Sequence, residues 1–257
     1  MLLRLVATGW GDAAITAGLL MPWLPVLALA TIMLAAMGLF AARRLAEVAA
    51  WLVLASSGTL LGVLALGGAQ GWAPLLYYLV QSTLVTGGLF LLAGHVASRR
   101  GALGDRLVRG PSVFGREYLL PAWAVLAVGL AGLPPLSGFI AKLMLLQITD
   151  APGWTAAWWT VLLLSSLVGL LVLARITAPL FWQAACVPAD GGPQRAGTAG
   201  LAPHLGLWLL VAAGPLLALL AQPAMGLATR TAAQLADPAA YQAAVLGDAA
   251  IVRERRP

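Results

Sequence analysis

The sequence predicts an all-α integral membrane protein, and three observations support this fold class. Hydrophobic residues make up 61% of the 257 residues and charged residues only 9%, and a soluble domain could not cover its surface with that ratio. The apolar residues form long runs close to or above the ~20 residues that cross a bilayer as a helix. Because these runs lack strand-like alternation and are too long for barrel strands, they predict a helical bundle.

Six apolar runs are predicted to be transmembrane helices, and they leave three other segments. The predicted spans are residues 23–42, 46–66, 73–96, 119–147, 156–182 and 205–222. Residues 1–22 form an N-terminal stub without a signal-peptide pattern, 183–204 a loop and 223–257 a polar C-terminal tail. Three tryptophans near the start of the fifth span predict an interfacial belt: Trp154, Trp158 and Trp159.

The basic residues of the connecting segments predict the orientation of the bundle. Arg43 and Arg44 lie in the first short turn, and further arginines fill the loop of residues 97–118. The positive-inside rule places both connections in the cytoplasm, and the two intervening spans make this choice self-consistent. We therefore interpret the net charge of +6 as a determinant of topology and of contacts with anionic lipid headgroups, and not as a sign of nucleic-acid binding. The single Cys186 forms no metal-ligand pattern with the two histidines.

The fourth span is predicted to be one discontinuous helix. Residues 119–147 would be ~43 Å long as a continuous helix, which exceeds the ~30 Å hydrocarbon core. Two prolines, which lack amide donors, and two flexible glycines lie in its middle: Gly132, Pro134, Pro135 and Gly138. Carbonyls freed at that depth are tolerated only inside protein or beside a watery cavity. Two short re-entrant halves are the alternative.

Lys142, the only lysine of the chain, is the main candidate functional residue. It lies in the fourth span, one turn after the predicted break. A cation at bilayer depth costs at least ~2.5 kcal/mol, and such residues most often mark an ion or proton path. Lysine, unlike arginine, can release a proton near neutral pH when it is desolvated. We therefore interpret Lys142 as a proton relay; a lysine that snorkels to the headgroups is the alternative.

Polar residues of the third span are candidates for a pathway beside this lysine. Ser82 and Thr86, four residues apart, share a helix face, and Gln81 projects beside it. An amide and two hydroxyl groups there could hold a file of water; helix packing is the alternative. Packing is the favoured interpretation for four other serines: Ser56, Ser57, Ser165 and Ser166.

The segment around Lys142 resembles a known protein family. Residues 131–142 combine a proline pair, Ser-Gly-Phe and a lysine three residues on. This stretch is similar to the broken-helix signature of the antiporter-like subunits shared by Mrp-type cation/proton antiporters and respiratory complex I. With residues 52–61, 76–86 and 237–246, the chain is most similar to the D subunit of the multi-subunit antiporters. The resemblance covers nearly the whole chain, but only the C-terminal half of such a subunit.

The resemblance implies an architecture and a function. Family members contain two inverted five-helix repeats, each with a broken fourth helix, so residues 23–182 resemble the second repeat and residues 205–222 the last helix. The implied protein is a multi-pass subunit of a K⁺ or Na⁺/proton antiporter in a bacterial inner membrane, not an enzyme, with no metal or other cofactor. Its implied partners are lipid, other antiporter subunits, and a chain or segment that supplies the first repeat.

One departure from the family affects the implied pathway. Complex I relatives usually carry histidine and lysine at the positions that match Gln81 and Thr86, which favours the antiporter D subunit here. Only Lys142 matches a family site residue, and all nine acidic residues lie outside the span cores. A carboxylate partner would therefore come from another chain or from the first repeat. Two alternative functions are a proton-translocating subunit of a complex I-like NADH:quinone oxidoreductase and a non-transporting structural subunit.

Overall fold

The computed structural model describes residues 22–109, 116–148, 153–182 and 201–236, and helices dominate these ranges. No β-strand occurs among the described residues, which confirms the all-α class. The predictions for residues 1–21, 183–200 and 237–257 lie outside the described part of the chain. The helices are α1 (Trp23–Ala41), α2 (Leu45–Leu66), α3 (Trp72–Arg99), α4 (Arg116–Ala131), α5 (Ser137–Gln147), α6 (Thr155–Thr177), α7 (Leu201–Leu219) and α8 (Ala221–Ala236).

The described helices overlap all six predicted spans, but four of them are each long and apolar enough to cross a bilayer alone, which makes four spans, or five if α7 and α8 form one. These four are α1, α2, α3 and α6, whereas α4 and α5 are shorter apolar helices that divide the fourth span. The sixth span begins earlier than expected, at Leu201, and is followed at a bend of 84° by α8. Sequence analysis assigned most of α8 to the polar tail because its mean hydropathy is low. The helix forms nevertheless, with Ala228 and Ala232 buried one turn apart on one face.

Two tryptophans predicted to lie in an interfacial belt instead cap the end of α5. The indole Nε1 of Trp158 donates to the Leu145 carbonyl at 2.9 Å, and that of Trp159 to the Leu146 carbonyl at 2.9 Å. Trp158 is 1% exposed and belongs to the core, so the belt prediction is wrong for this residue; Trp159 is 45% exposed. The physical reason is that the last carbonyls of a helix have no intrahelical donor and need another.

Asp105 joins the α1–α2 turn to the α3–α4 loop, on the face predicted to be cytoplasmic. Its Oδ2 accepts the Ala46 amide of α2 at 3.0 Å, and its Oδ1 accepts Nε of Arg44 at 2.8 Å. Burial acts to raise the pKa of Asp105, but these hydrogen bonds and the Arg44 charge outweigh it and hold the pKa below its ordinary value of 3.8. Asp105 therefore caps α2 from a distant loop.

Candidate functional site

The predicted helix break lies between α4 and α5. Helix α4 ends at Ala131 and α5 begins at Ser137, which confirms the interruption. Gly132 has a φ of +75°, a backbone conformation that glycine adopts without strain. Gly138 lies not in the break but in the first turn of α5, where an added Cβ would collide with the Gly129 carbonyl oxygen. Its absent side chain lets the two half-helices approach.

The break leaves carbonyl groups of α4 without their usual donors. In a continuous helix the carbonyls of Leu130 and Ala131 would accept the amides of residues 134 and 135. Both of those residues are proline and have no amide hydrogen. The Lys142 ammonium replaces both donors, because its Nζ lies 3.1 Å from the Leu130 oxygen and 2.8 Å from the Ala131 oxygen.

A third carbonyl of α4 is bonded by Gln81 of α3. The Leu133 amide donates to Val128 at 3.1 Å and so does not pair with the Gly129 carbonyl. The Gln81 Nε2 donates to that Gly129 oxygen at 3.4 Å. Gln81 is 4% exposed, and a buried amide needs such partners. Three successive carbonyls at the end of α4 are therefore bonded by two side chains from neighbouring helices.

The side chain of Lys142 folds back toward the middle of the fourth span. Its stem crosses Gly132, where an added Cβ would lie 2.6 Å from Lys142 Cδ. The ammonium is thus directed to the end of α4 and not past Gln147 toward a headgroup layer, which argues against snorkelling. The described residues contain one ion pair, between Arg44 and Asp105. No carboxylate of the described residues therefore lies within ion-pair distance of Lys142.

A cavity of about 60 Å³ lies beside this lysine. It is large enough to hold water, for which a cavity needs about 10–15 Å³. Its polar lining comes from four helices: Ser56 and Thr59 of α2, Tyr78, Gln81 and Ser82 of α3, Lys142 of α5, and Ser165 and Ser166 of α6. The fold therefore brings Lys142, Gln81 and Ser82 together around one space.

Thr86 does not line this cavity. It is buried one turn further along α3, and its hydroxyl donates to the Ser82 carbonyl at 2.6 Å. Ser82 and Thr86 thus share a helix face, as predicted, but only Ser82 reaches the space beside Lys142. Thr86 could extend a polar path only beyond the cavity.

Five further polar residues of the cavity were not singled out for the site by sequence reasoning: Ser56, Thr59, Tyr78, Ser165 and Ser166. Ser56, Ser165 and Ser166 each donate to a carbonyl of their own helix, as ordinary packing requires, yet they also line the cavity. Their oxygens retain lone pairs that can accept from water. The Tyr78 hydroxyl donates to Ser56 Oγ at 3.4 Å and links α3 to α2. Serines on two different spans could have indicated a shared polar space. Sequence alone does not show which face of each helix points to that space.

Together, the fold and this site define a multi-pass helical membrane protein with a discontinuous helix at a polar site, an arrangement that many secondary transporters use for ions. Residues 6–171, more than half of the chain, match the family described as NADH:quinone oxidoreductase/Mrp antiporter, transmembrane. The chain belongs to this family. The resemblance drawn from the broken-helix segment is thereby confirmed.

Individual relatives agree with this assignment. The chain is 32% identical to the D subunit of a probable K⁺/H⁺ antiporter of Rhizobium meliloti over 96% of its own length and 50% of that relative. Its fold is similar to a chain of the Mrp complex from Dietzia sp. DQ12-45-1b, with a TM-score of 0.73, 25% identity, and coverage of 88% of this chain and 49% of that one. A chain of respiratory complex I from Thermus thermophilus gives a TM-score of 0.64 at 26% identity, covering 84% and 45% respectively. The chain thus spans about half the length of these relatives.

Proposed function

We propose that the chain is a membrane subunit of a multi-subunit monovalent cation/proton antiporter in a bacterial inner membrane, and that it takes part in proton movement coupled to K⁺ or Na⁺ exchange. The observation that carries the proposal is Lys142: an ammonium bonded to two mid-span carbonyls, beside a polar cavity, with no carboxylate partner among the described residues. A cation at bilayer depth is energetically costly, and residues of this kind mark functional sites by default.

The geometry supports a relay in which Lys142 changes its protonation state without leaving its place. An ammonium has three N–H groups, and the carbonyls of Leu130 and Ala131 use two of them. A neutral amine keeps two N–H groups, so both carbonyls can stay bonded after the third proton leaves. That third position is the one available to a water in the cavity. The proton can therefore be exchanged without breaking the cap on α4.

The same cavity supports a role for the other predicted path residues. Gln81 and Ser82 present an amide and a hydroxyl group to the space that Lys142 lines, and Thr86 lies one turn beyond them. These groups can hold water in a file because each offers both donors and acceptors. In this proposal they carry protons to and from Lys142, while a carboxylate from another subunit or from the first repeat supplies the opposing charge.

A complex I-like function is the second candidate, and the likeness to the Thermus thermophilus complex I chain favours it. A proton-translocating subunit of an NADH:quinone oxidoreductase would use Lys142 in the same manner but with other partners. Isolation of the native complex discriminates the two: antiporter subunits support the first proposal, and iron–sulfur subunits support the second.

The Lys142→Arg variant tests the relay. Arginine keeps a positive charge and several donors for the two carbonyls, but it does not release a proton in proteins. We expect an assembled complex with this variant to lose most cation/proton exchange, measured as cation-induced dequenching of a pH-sensitive dye in everted vesicles.

The matched control is Arg230→Lys on an exposed face of α8, which exchanges the same two residue types away from the site. It should leave exchange and assembly unchanged. Near-normal exchange by an assembled Lys142→Arg complex would remove Lys142 from the proton path and favour a purely structural role.

A further inference from the structure

A second cavity, with a volume of about 510 Å³, lies at the predicted cytoplasmic ends of the helices. It is bounded by the turn after α1, residues 107–109 of the α3–α4 loop, and the last turn of α6 with the π-helical turn that follows. Three arginines from these separate segments line it: Arg43, Arg109 and Arg175. Lys142 and its polar cavity lie elsewhere, so this space is independent of the proposed relay.

The three guanidinium groups form no ion pair within the described part of the chain. The ion pair found there joins Arg44 to Asp105, and neither residue lines this cavity. Glu47, the acidic residue of the adjoining turn of α2, accepts the backbone amide of Arg43 at 2.8 Å. Arg175 donates to the Phe40 carbonyl at 3.3 Å, which fixes its position at the cavity. Three like charges around one space favour an anion between them.

The remaining lining is apolar and gives the cavity a second chemical character. Leu107 and Val108 contribute from the loop, and Ile176 from α6. A small inorganic anion gains nothing from such contacts, whereas a phospholipid presents a phosphate next to glycerol and acyl carbons. The cavity also lies at the depth where cytoplasmic-leaflet phosphates are found, if the arginine-rich connections are cytoplasmic.

We propose that Arg43, Arg109 and Arg175 form a binding site for the phosphate headgroup of an anionic phospholipid. The guanidinium groups bind the phosphate oxygens, because arginine forms directed hydrogen bonds to phosphate, and the apolar lining contacts the start of the acyl chains. Bound there, one lipid joins the first turn, the long loop and the end of α6. This inference does not depend on whether the chain transports protons.

The experiment uses the full chain in its purified complex, with phosphatidylglycerol as the probe. We compare Arg43→Gln/Arg175→Gln with a control of equal charge change, Arg106→Gln/Arg230→Gln, whose exposed arginines do not line the cavity. Because an arginine near anionic lipid contributes about fivefold in affinity, the first pair should weaken binding about 25-fold. Native mass spectrometry should show one retained anionic lipid fewer than in the wild type. The control pair should retain it.

The outcomes separate the lipid site from its alternatives. Equal loss of lipid in both double variants would mean unspecific charge attraction and overturn the site, as would unchanged binding in the cavity variant. Protection against heat by inorganic phosphate equal to that by phosphatidylglycerol would assign the cavity to a free anion and overturn the lipid proposal. Phosphatidylcholine should protect less. If the first pair does not assemble, Arg43→Lys/Arg175→Lys, which keeps both charges, must retain the lipid for the proposal to stand.

Discussion

Two apolar stretches of this chain change direction, and they satisfy their backbone in different ways. Between α7 and α8 the axis bends by 84°, yet the Leu220 amide donates to Leu216 and the Ala224 amide to Leu220, both at 2.9 Å. Between α4 and α5 the hydrogen-bond ladder stops, and side chains bond the carbonyls of residues 129–131. At the bend these two backbone hydrogen bonds continue the ladder, and the Tyr77 hydroxyl donates to the Leu217 carbonyl at 3.2 Å. In the break the three carbonyls depend on side chains alone.

The surroundings of the two sites explain this difference. Pro223 also lacks an amide that could pair with the Leu219 carbonyl, but Leu219 is 83% exposed and Pro223 is exposed as well. An exposed carbonyl at the end of a span can bond water or headgroups, whereas one inside the bundle depends on protein. The proline pair of the fourth span therefore requires buried donors. Lys142 has this structural task in addition to its proposed relay function, so its removal and its replacement by arginine test different properties.

The largest effect is expected for Gly138→Ala, which places a methyl group against the Gly129 carbonyl oxygen. Neither half-helix can yield without disturbing the three bonded carbonyls, so we expect a loss of about 3 kcal/mol in the free energy of unfolding or a failure to assemble. Thermal unfolding of the purified protein in detergent measures it.

The matched control is Gly169→Ala in α6. Gly169 lines the polar cavity, and its added Cβ meets no heavy atom within 4 Å beyond its chain neighbours and the backbone of its own helix. This variant should be neutral, or more stable by up to ~1 kcal/mol, because alanine is the better helix former. Equal stability of the Gly138 and Gly169 variants would show that the half-helices need not approach so closely.

The next effect is expected for Lys142→Met, which fills similar space but donates no hydrogen bond. The carbonyls of Leu130 and Ala131 lose their donors, and each buried unsatisfied group costs about 1–3 kcal/mol. We expect a destabilisation of about 2 kcal/mol, because the removal of a buried charge offsets part of this cost, and the same unfolding assay measures it. The Lys142→Arg variant should lose much less stability, because arginine retains donors for both carbonyls.

A double-mutant cycle identifies the origin of this cost. Pro134→Ala/Pro135→Ala restores the two amides that a helix would use, so Lys142→Met should cost at least ~1 kcal/mol less in that background. If its cost is the same in both backgrounds, the lysine does not act through the carbonyls that the prolines leave free.

The location of the break was predictable from sequence, but its chemistry only in part. Length, the two prolines and the glycines predicted the interruption, and the isolation of Lys142 among apolar residues made it the main candidate for function. Helical spacing would also have identified Leu130 and Ala131 as the carbonyls opposite the prolines. That Lys142 reaches back to them depends on the direction of α5 after the break, which local sequence does not determine.

The polar cavity was less predictable because membrane helices carry a weak facial signal. Lipid and the bundle interior are both apolar, so hydrophobic periodicity does not show which face of α2 or α6 points inward. The serines at positions 56, 165 and 166 therefore looked like ordinary packing residues. Helix α8 was missed for the opposite reason: its low hydropathy hid a helix that buries Ala228 and Ala232.

A smaller effect is expected for Gln81→Leu, which removes the donor to the Gly129 carbonyl. The hydrogen bond is long at 3.4 Å, so we expect a loss of only about 1 kcal/mol in the free energy of unfolding. Thr83→Val in the same helix is the control, since its exposed hydroxyl donates only to Leu79 of its own turn. If proton exchange in the complex also falls for Gln81→Leu but not for the control, Gln81 belongs to the proposed path.

The smallest effect is expected at the bend, for Pro223→Ala. This change restores an amide near the start of α8, just as Pro134→Ala does in the break, so the two substitutions compare the same chemistry in two surroundings. Because Leu219 is 83% exposed, we expect its carbonyl to bond water or a headgroup already, so a new donor should change the free energy of unfolding by no more than ~0.5 kcal/mol. Thermal unfolding under the conditions used for the break variants provides the comparison. A gain above ~1 kcal/mol would mean that the bend also carries an unsatisfied carbonyl, and exposure would then not explain the contrast between the two sites.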